Sequence, residues 1–357
     1  MADSLFPDTM KGGIVAFDPR NGEVVLLYSH PTFDPNLFIG GISTADWTRL
    51  REDPAIPLLN RASGSLYPPG STWKLVIAAL AMQAGVTTID THMPSSCNGA
   101  YRYGTRFFRC WKHVGHGSLS LSGAIKESCN VFFYQLGLRV GLDRVMQGVD
   151  ELGFNQKTGL DLPVEARGRF PPDRDWYDER FGPRGWTESV TLNLSIGQGE
   201  TAQTLLHMAQ FYAALALGGS PPVPHLRRGE VLNARRADWS LDLPEERRRE
   251  LVAALTRVVN EPGGTAFSYR PNDYVFAGKT GTSQNPHGEP HSWFVGFGPV
   301  EDPRLVIAAI VENGHPDNTV SLAVPLAINL METYLRSEGV PATGIPVPRP
   351  GAPRRAE

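Results

Sequence analysis

The sequence has few cysteines, little net charge and no long apolar run, and each shortage excludes a class of protein. Three cysteines in 357 residues are an odd number, so a framework in which every thiol is paired within the chain is excluded. A net charge of −3 gives no reason to propose nucleic acid as a partner. The longest apolar stretch, which follows Lys74, is too short to span a bilayer. With 41% hydrophobic residues, the chain is predicted to be soluble and to fold around one large core or two smaller ones.

The most informative segment reads YPPGSTWK and ends at Lys74. Its prolines and glycine favour a turn, whereas the residues from Ser71 onward favour a helix, so a helix is predicted to begin near Ser71. Lys74 then lies one turn beyond Ser71 on the same helix face. There its amine can take the proton of the hydroxyl if burial or a neighbouring cation lowers the lysine pKa. Taken alone, the pattern also fits a helix-capping Ser71 followed by an exposed cation.

Two later segments carry the other hydroxyl, amide and amine groups that such chemistry needs. They are Ser128-Cys129-Asn130 and Lys279-Thr280-Gly281-Thr282. Together with the first segment they follow, in order and at similar distances, the Ser-x-x-Lys, Ser-x-Asn and Lys-Thr-Gly signature of serine acyltransferases. Because three elements in order are far more specific than any one of them, the catalytic interpretation is preferred.

These segments and their surroundings resemble the transpeptidase domain of class B penicillin-binding proteins, and more narrowly its elongation-type branch, penicillin-binding protein 2. The resemblance covers nearly the whole chain outside the C-terminal tail. It implies the α+β fold of penicillin-binding proteins and serine β-lactamases. It also implies a peptidoglycan D,D-transpeptidase that acts in cell elongation and rod shape and is a target of β-lactam antibiotics. The resemblance runs through residues 12–19, 57–61, 67–74, 126–134, 157–162, 195–199 and 277–283.

The resemblance implies a role for each residue of the motifs. Ser71 would be the nucleophile and Lys74 the base that takes its proton. Lys279 would supply the cation that keeps Lys74 neutral for part of the time, and it would attract a substrate carboxylate. Ser128 would relay a proton to the departing amine, while Asn130 would orient Lys74 and bind the substrate amide.

The third motif is expected to hold the substrate. Thr280 and Thr282 flank Gly281, whose missing side chain lets an extended peptide or a β-lactam approach the strand edge. The backbone N–H groups of Ser71 and Thr282 are the expected oxyanion hole. Taken alone, the motif is more simply an ordinary edge strand that contains a glycine.

All three cysteines lie in one short segment that also holds two histidines. Cys97, Cys110, His116 and Cys129 would form a tetrahedral Cys₃His zinc site, although no C-x-x-C spacing supports one. The plainer alternatives are a Cys97–Cys110 disulfide with a free Cys129, or three free thiols. The resemblance favours structural zinc, because some elongation-type members hold zinc with the cysteine inside the middle motif and an upstream histidine. Cysteines at 97 and 110 are a departure from the aspartates often found there, and His113 is an alternative to His116.

Hydrophobic periodicity predicts strands at both ends of the chain and helices between them. A hairpin with an Asn-Gly turn is predicted over 12–28. Later strands are predicted over 274–281, 292–299 and 305–312. Helices are predicted over 75–84, 118–138, 204–217 and 322–336, the first of them centrally buried. The segments 91–111 and 155–186 show no clear period.

These elements predict that both chain ends build one antiparallel sheet, with a helical lobe between them. The transpeptidase domain is predicted over 1–339, with a sheet subdomain (10–70 and 245–339) and a helical subdomain (71–244). The site is expected at their junction. The tail, 340–357, is rich in Pro, Gly and Arg and is predicted to be disordered.

Two other functional classes use the same three motifs. A D-alanine carboxypeptidase or β-lactamase passes the acyl group to water, and a β-lactam sensor uses the acyl-enzyme itself as its signal. A class A β-lactamase needs Glu-x-x-Leu-Asn, but Glu188 lies one residue too far from Leu192-Asn193. Sensors lack the class B residues that precede Ser71. The cysteine and histidine cluster argues against the septal branch of class B.

The resemblance also implies parts and partners of a complete protein. Members of the family carry an N-terminal membrane anchor and a pedestal domain, and neither is recognisable here, so we expect a fragment that begins at the catalytic domain. The implied location is the periplasmic or extracytoplasmic face of the bacterial inner membrane. The implied partners are peptidoglycan stem peptides, β-lactams and a glycosyltransferase of the SEDS family. Acyl transfer itself requires no cofactor.

Overall fold

The two ends of the chain meet in one five-stranded antiparallel sheet. The computed structural model describes residues 2–227, 235–286, 288–315 and 321–343. The strands of this sheet are β1 Lys11–Phe17, β2 Val24–His30, β5 Ala277–Ser283, β6 His291–Gly298 and β7 Leu305–Glu312, and a separate hairpin consists of β3 Ala100–Tyr103 and β4 Arg106–Arg109. The sheet order β2-β1-β7-β6-β5 puts β5 at an edge. The predicted α+β arrangement, with a sheet built from both chain ends, is confirmed.

Helices cover the sheet and build the second lobe. The α-helices are α1 Ala2–Leu5, α2 Thr44–Glu52, α3 Lys74–Gln83, α4 Leu121–Lys126, α5 Asn130–Val140, α6 Leu142–Glu151, α7 Arg174–Phe181, α8 Val190–Leu194, α9 Leu205–Leu217, α10 Glu245–Asn260 and α11 Ala323–Ser337. Short 3₁₀ helices span Pro35–Phe38, Gly70–Trp73 and Phe267–Tyr269. Both α9 and α11 pack on β6 and β7, so these strands are buried along nearly their whole length. Within the described ranges, no helix is long and apolar enough to cross a membrane.

Helix α3 is the centre of the helical lobe. Every residue from Lys74 to Met82 is buried, and the helix packs against α5, α6 and α10. A helix surrounded in this way has no solvent face, which explains why its sequence shows no amphipathic stripe. The prediction of a centrally buried helix is confirmed. Its first residue is the predicted base.

The predicted helix over 118–138 is broken in the structure, and the break lies at the middle motif. Helix α4 ends at Lys126, helix α5 begins at Asn130, and Ser128 between them has a φ of 57°. This left-handed conformation is unfavourable for a residue with a side chain, so the local sequence does not dictate it. Tertiary hydrogen bonds at Ser128, described below, stabilise the break.

Two segments without clear sequence periodicity contain regular structure. Residues 91–111 include the β3–β4 hairpin, and residues 155–186 include α7. The hairpin packs on α5, where the rings of Phe108 and Tyr134 meet edge to face at 5.7 Å. Of the predicted disordered tail, residues 344–357 lie outside the described residues. Residues 340–343 contact the body of the domain, since Val340 and Thr343 hydrogen-bond to Tyr274 and Asp273.

A buried ion pair fastens the segment before the first motif to the end of β7. Arg61 is 2% exposed, and its Nε donates to Glu312 Oε1 at 3.0 Å. The same guanidinium donates to the carbonyls of Ala55 and Ile56. Tyr67 donates its O–H to Glu312 Oε1 at 2.6 Å. Because Tyr67 begins the YPPGSTWK segment, this network fixes where that segment leaves the sheet.

Replacing Glu312 by glutamine should therefore destabilise the fold. The Glu312→Gln change leaves the Arg61 guanidinium buried without a counter-charge, and we expect a loss of about 3 kcal/mol in the free energy of unfolding. Chemical denaturation measures the loss. Glu52→Gln is the matched control, because Glu52 pairs with Arg51 on the surface, and it should change stability by less than about 0.5 kcal/mol. Equal effects of the two changes would contradict the anchoring role.

Candidate active site

The first motif lies on a tight turn that leads into α3. Gly70–Trp73 form a 3₁₀ helix, and the Lys74 N–H donates to the Ser71 carbonyl at its end. Residues three apart eclipse one another in this kind of helix, so Ser71 and Lys74 lie on one face. Gly70 has a φ of +55°, and a Cβ there would lie 2.5 Å from the Thr282 carbonyl oxygen. Only glycine allows the first and third motifs to approach this closely.

The Lys74 amine is completely buried and is held by neutral oxygens. Its Nζ donates to Asn130 Oδ1 at 2.7 Å, to the Ser128 carbonyl at 2.8 Å and to Ser128 Oγ at 3.2 Å. It also lies over the Phe133 ring, 5.5 Å from the centroid. Burial lowers the pKa of Lys74 to about 8, while the nearby cysteine thiolates act in the opposite direction. The amine is therefore neutral in roughly a tenth of the molecules at pH 7, far more than for an exposed lysine.

The break between α4 and α5 presents the middle motif to this amine. Ser128 is 5% exposed, and its carbonyl accepts from the indole N–H of Trp111 at 3.1 Å as well as from Lys74. The Asn130 amide donates to the Arg109 carbonyl at 3.4 Å. Because two donors, Lys74 Nζ and the Trp111 indole, bind the Ser128 carbonyl, the left-handed turn at Ser128 is held from both sides. Sequence reasoning missed Trp111, because nothing in the motif pattern indicates an indole donor to a backbone carbonyl.

The third motif lies on the edge strand β5, against the turn that carries the first. A Cβ on Gly281 would lie 2.9 Å from Trp293 Cβ and 3.0 Å from Thr72 Cγ2. Lys279 is fully buried, and its Nζ donates to the Thr280 carbonyl at 3.1 Å. Burial, together with the charge of Lys74, holds the pKa of Lys279 well below its usual value.

Residues outside the motifs complete this edge. The Thr280 hydroxyl is 2.7 Å from that of Thr265, which precedes the 3₁₀ helix Phe267–Tyr269. Gln198 donates its amide to the Thr282 carbonyl at 3.4 Å. Gln198 belongs to the Ser195–Gly199 segment that sequence analysis had associated with the family. Thr265 carries no such signal, and only the fold brings it to β5.

The three cysteines and His116 converge beside the middle motif. Their candidate ligand atoms all lie within 4.8 Å of one another. His116 Nδ1 is 3.5 Å from the Sγ atoms of both Cys97 and Cys110. The three thiols are unbridged, and His113, the alternative ligand, is exposed and lies outside the cluster.

The cluster has the chemistry of a metal site. In a tetrahedral Cys₃His zinc site, sulfur and nitrogen ligands lie about 3.5 Å apart, which matches the observed contacts. Cys110 Sγ also accepts the backbone N–H of Asn130 at 3.3 Å. Hydrogen bonds from Cys129, from His116 and from this backbone N–H lower the pKa of Cys110 against the effect of burial, so they stabilise a thiolate. The four residues therefore fit zinc, and one of them directly precedes Asn130.

Glu188, which had been considered as a water-activating residue, is engaged elsewhere. Its carboxylate pairs with Arg174 at 2.7 Å, and the side chain is 44% exposed. Within the described part of the chain, the hydrogen bonds of Lys74 and Ser128 include no carboxylate. Among the described residues, the hydrogen bonds of this site thus join a lysine amine to a serine hydroxyl, and they include no carboxylate base for a water molecule.

Comparisons with known proteins agree with this arrangement. The family model "Penicillin binding protein transpeptidase domain" matches residues 12–332. Peptidoglycan D,D-transpeptidase MrdA of Acinetobacter baumannii is 36% identical over 347 residues, which cover 88% of this chain and 50% of that protein. The chain thus spans about half the length of this curated relative.

Solved structures give the same result. A complex between penicillin-binding protein PBP2 and MreC from Helicobacter pylori matches with a TM-score of 0.84 and 33% identity, covering 95% of this chain and 62% of that chain. The imipenem acyl-enzyme complex of penicillin-binding protein A from M. tuberculosis matches with a TM-score of 0.74 and 26% identity, covering 93% and 76%. The predicted resemblance to penicillin-binding protein 2 is confirmed. The chain belongs to the penicillin-binding protein transpeptidase domain family.

Proposed function

We propose that this domain is a peptidoglycan D,D-transpeptidase that cross-links stem peptides through an acyl-enzyme at Ser71. The observation that carries the proposal is the Lys74 amine, which is fully buried one turn from Ser71 and bonded to Ser128 and Asn130. Burial of that kind makes a lysine a base near neutral pH. The elongation-type relatives support a role in cell elongation and rod shape.

In the first step, the neutral Lys74 takes the Ser71 hydroxyl proton as the oxygen attacks the carbonyl carbon of the penultimate D-alanine. The developing oxyanion needs two N–H donors. The Thr282 carbonyl lies against Gly70 and accepts from Gln198, so it points away from β6. The N–H and C=O of one strand residue point to the same side, so the Thr282 N–H faces the turn that carries Ser71. With the Ser71 N–H, it forms the proposed oxyanion hole.

In the second step, the peptide C–N bond breaks and D-alanine leaves with a proton. Ser128 Oγ, 3.2 Å from Lys74 Nζ, relays the proton from the lysine to the departing amine. An amine on a neighbouring stem then attacks the ester carbonyl, gives up a proton along the same path and releases Ser71. Lys279, Thr280 and Gly281 hold the substrate carboxylate and backbone along β5.

The hydrolase and sensor classes are the competing proposals. A hydrolase needs a base for water, and the carboxylate of Glu188 is paired with Arg174. The acyl-enzyme should therefore persist until an amine accepts the acyl group. The septal branch of class B and a β-lactam sensor receive no support from the matched relatives, which are named MrdA and PBP2.

Structural zinc is part of the proposal. Cys97, Cys110, His116 and Cys129 would hold it, and the contacts of His116 Nδ1 with two sulfurs support a tetrahedral set. Bound zinc supplies a cross-link between the loop over 97–116 and the residue that precedes α5. Asn130 donates its backbone N–H to Cys110 Sγ, so order in the cluster extends to the residue that orients Lys74.

The remaining proposals concern the complete protein. The curated relative is about twice as long as the matched region, which leaves room for the membrane anchor and pedestal of the family. We propose a periplasmic location at the inner membrane and a SEDS-family glycosyltransferase as partner. MreC is the partner in the matched Helicobacter pylori complex, and it is a further candidate.

Ser71 should be acylated by β-lactams. Incubation with a fluorescent penicillin, followed by intact-mass analysis and peptide mapping, should give about one adduct per chain, on the peptide that contains Ser71. The adduct should last for many minutes and should vanish in Ser71→Ala. Ser189→Ala, a change outside the site, should label fully. Labelling of Ser71→Ala, or rapid turnover of a chromogenic cephalosporin, would contradict the proposal.

The acylation rate should rise with pH as Lys74 loses its proton. With a pKa of about 8, roughly a tenth of the lysine is neutral at pH 7 and about nine-tenths at pH 9. The second-order rate constant, measured by stopped-flow, should climb over this interval and then level off. Lys74→Ala should slow acylation by about a hundredfold or more. The exposed Lys157, changed to alanine, serves as control. A flat pH profile with an active Lys74→Ala would remove Lys74 from the mechanism.

The zinc proposal predicts a difference between two neighbouring histidines. His116→Ala should remove the metal, lower the melting temperature by about 5 °C or more and slow acylation, because metal bound only by the folded chain stabilises it. His113→Ala should do none of these. Elemental analysis of protein purified without added metal should find about one zinc per chain. A zinc-free protein with a Cys97–Cys110 disulfide in its non-reduced peptide map would establish the alternative.

A further inference from the structure

The β3–β4 hairpin has one packed face and one exposed face. Residues directly opposite each other in an antiparallel pair share a face. Tyr101 opposite Phe108 is partly buried against the core. Arg102 lies opposite Phe107 on the other face, and both are exposed, with Phe107 at 68%. Arg109, two residues beyond Phe107, extends this face toward the body of the domain.

The charges of this face are unmatched. Arg102 donates its Nε to the Gly104 carbonyl, and within the described ranges neither Arg102 nor Arg109 forms an ion pair with a carboxylate. The Phe107 ring, 68% exposed, lies between these two arginines, so an apolar ring and two cationic groups share one small surface. Guanidinium groups without a carboxylate partner among the described residues, together with an exposed ring, fit an anionic partner that also has apolar surface to bury.

The strand β4, which carries Phe107 and Arg109, ends beside the active site. The Arg109 carbonyl accepts hydrogen bonds from the Asn130 amide and from the Tyr134 hydroxyl at 3.0 Å. Two residues later, Trp111 is 54% exposed and donates to the Ser128 carbonyl. The hairpin therefore adjoins the middle motif, within reach of a polymer that has one unit bound at the motifs.

We propose that the exposed face of β3–β4, formed by Arg102, Phe107 and Arg109, binds the peptidoglycan strand whose stem peptide occupies the active site. This inference rests on the proposed transpeptidase function. Carboxylates of adjacent stem peptides pair with the guanidinium groups, which bind such groups through two parallel hydrogen bonds. The Phe107 ring covers the C–H face of a sugar. The continuity of the face with the site favours this occupant over an anionic membrane surface.

Sedimentation with purified peptidoglycan sacculi tests the proposal. The 357-residue chain is first acylated at Ser71 with penicillin, so that the motifs cannot take a donor peptide and the remaining binding reports the hairpin. Arg102→Gln and Phe107→Ser should each weaken binding to sacculi by about threefold, and together by about tenfold. Arg106→Gln is the matched control, because Arg106 carries the same charge on the same hairpin but pairs with Tyr103 on the opposite face. It should bind within about twofold of the parent.

Salt dependence, the variants and a membrane control together test whether this face binds peptidoglycan. Higher salt should weaken binding of the parent more than that of Arg102→Gln, since one ionic contact is missing in the variant. Unchanged binding in the double variant, or an equal loss in Arg106→Gln, would overturn the proposal. Binding of the parent to phosphatidylglycerol vesicles but not to sacculi would assign the face to a membrane instead. All variants should still be acylated by penicillin, so a failure of the transpeptidase proposal would show separately, as a parent protein without an adduct at Ser71.

Discussion

The constraint on which this structure depends is the burial of a lysine amine next to a serine, with no carboxylate among the hydrogen-bond partners that the described residues supply. Lys74 Nζ bonds to oxygens of Ser128 and Asn130, all of them uncharged. An ammonium group in such a position loses its hydration, and this loss lowers its pKa to about 8 although the nearby cysteine thiolates act in the opposite direction. A carboxylate in the same place would stabilise the charged amine and abolish the base. The surrounding structure must therefore keep the amine dry while its neutral acceptors stay fixed.

Three separate parts of the chain meet to satisfy that constraint. The 3₁₀ turn before α3 carries Ser71, the break between α4 and α5 carries Ser128, and the edge strand β5 carries Lys279. The turn and the strand approach so closely that side chains at Gly70 and Gly281 would collide with the opposing segment. The strand reaches this position because the sheet is built from both ends of the chain. The pair of Arg61 and Glu312 holds the start of the turn to the same sheet, so the relative position of nucleophile and edge strand depends on it.

The segment between residues 97 and 116 supports the site from its other side. Its cysteines and His116 converge on Cys129, and Trp111 donates to the carbonyl of Ser128. Both contacts stabilise a turn in which Ser128 has a φ of 57°, a backbone conformation that is unfavourable for a residue with a side chain. The β3–β4 hairpin belongs to the same segment and presents Phe107 on its exposed face. One loop thus combines a proposed metal centre, a brace for the catalytic turn and a proposed surface for the polymer.

The sequence alone was sufficient for the features that local chemistry dictates. The apolar run after Lys74 predicted a buried helix, alternation predicted the strands at both ends, and the three motifs identified the family. The break at Ser128 was predicted as continuous helix, because the flanking residues on both sides favour helix. In the structure the turn at the left-handed Ser128 ends α4 through backbone bonds to Ile125 and Ala124, and the distant contacts of Lys74 and Trp111 stabilise the turn further. The β3–β4 hairpin escaped prediction for a similar reason, since its packed face is defined by Tyr134 on another element. The spacing of the cysteines in the sequence left both a zinc site and a disulfide possible. The tertiary structure brings His116 to the three thiols, because a ligand cluster depends on how the loops fold and not on the spacing of the ligands along the chain.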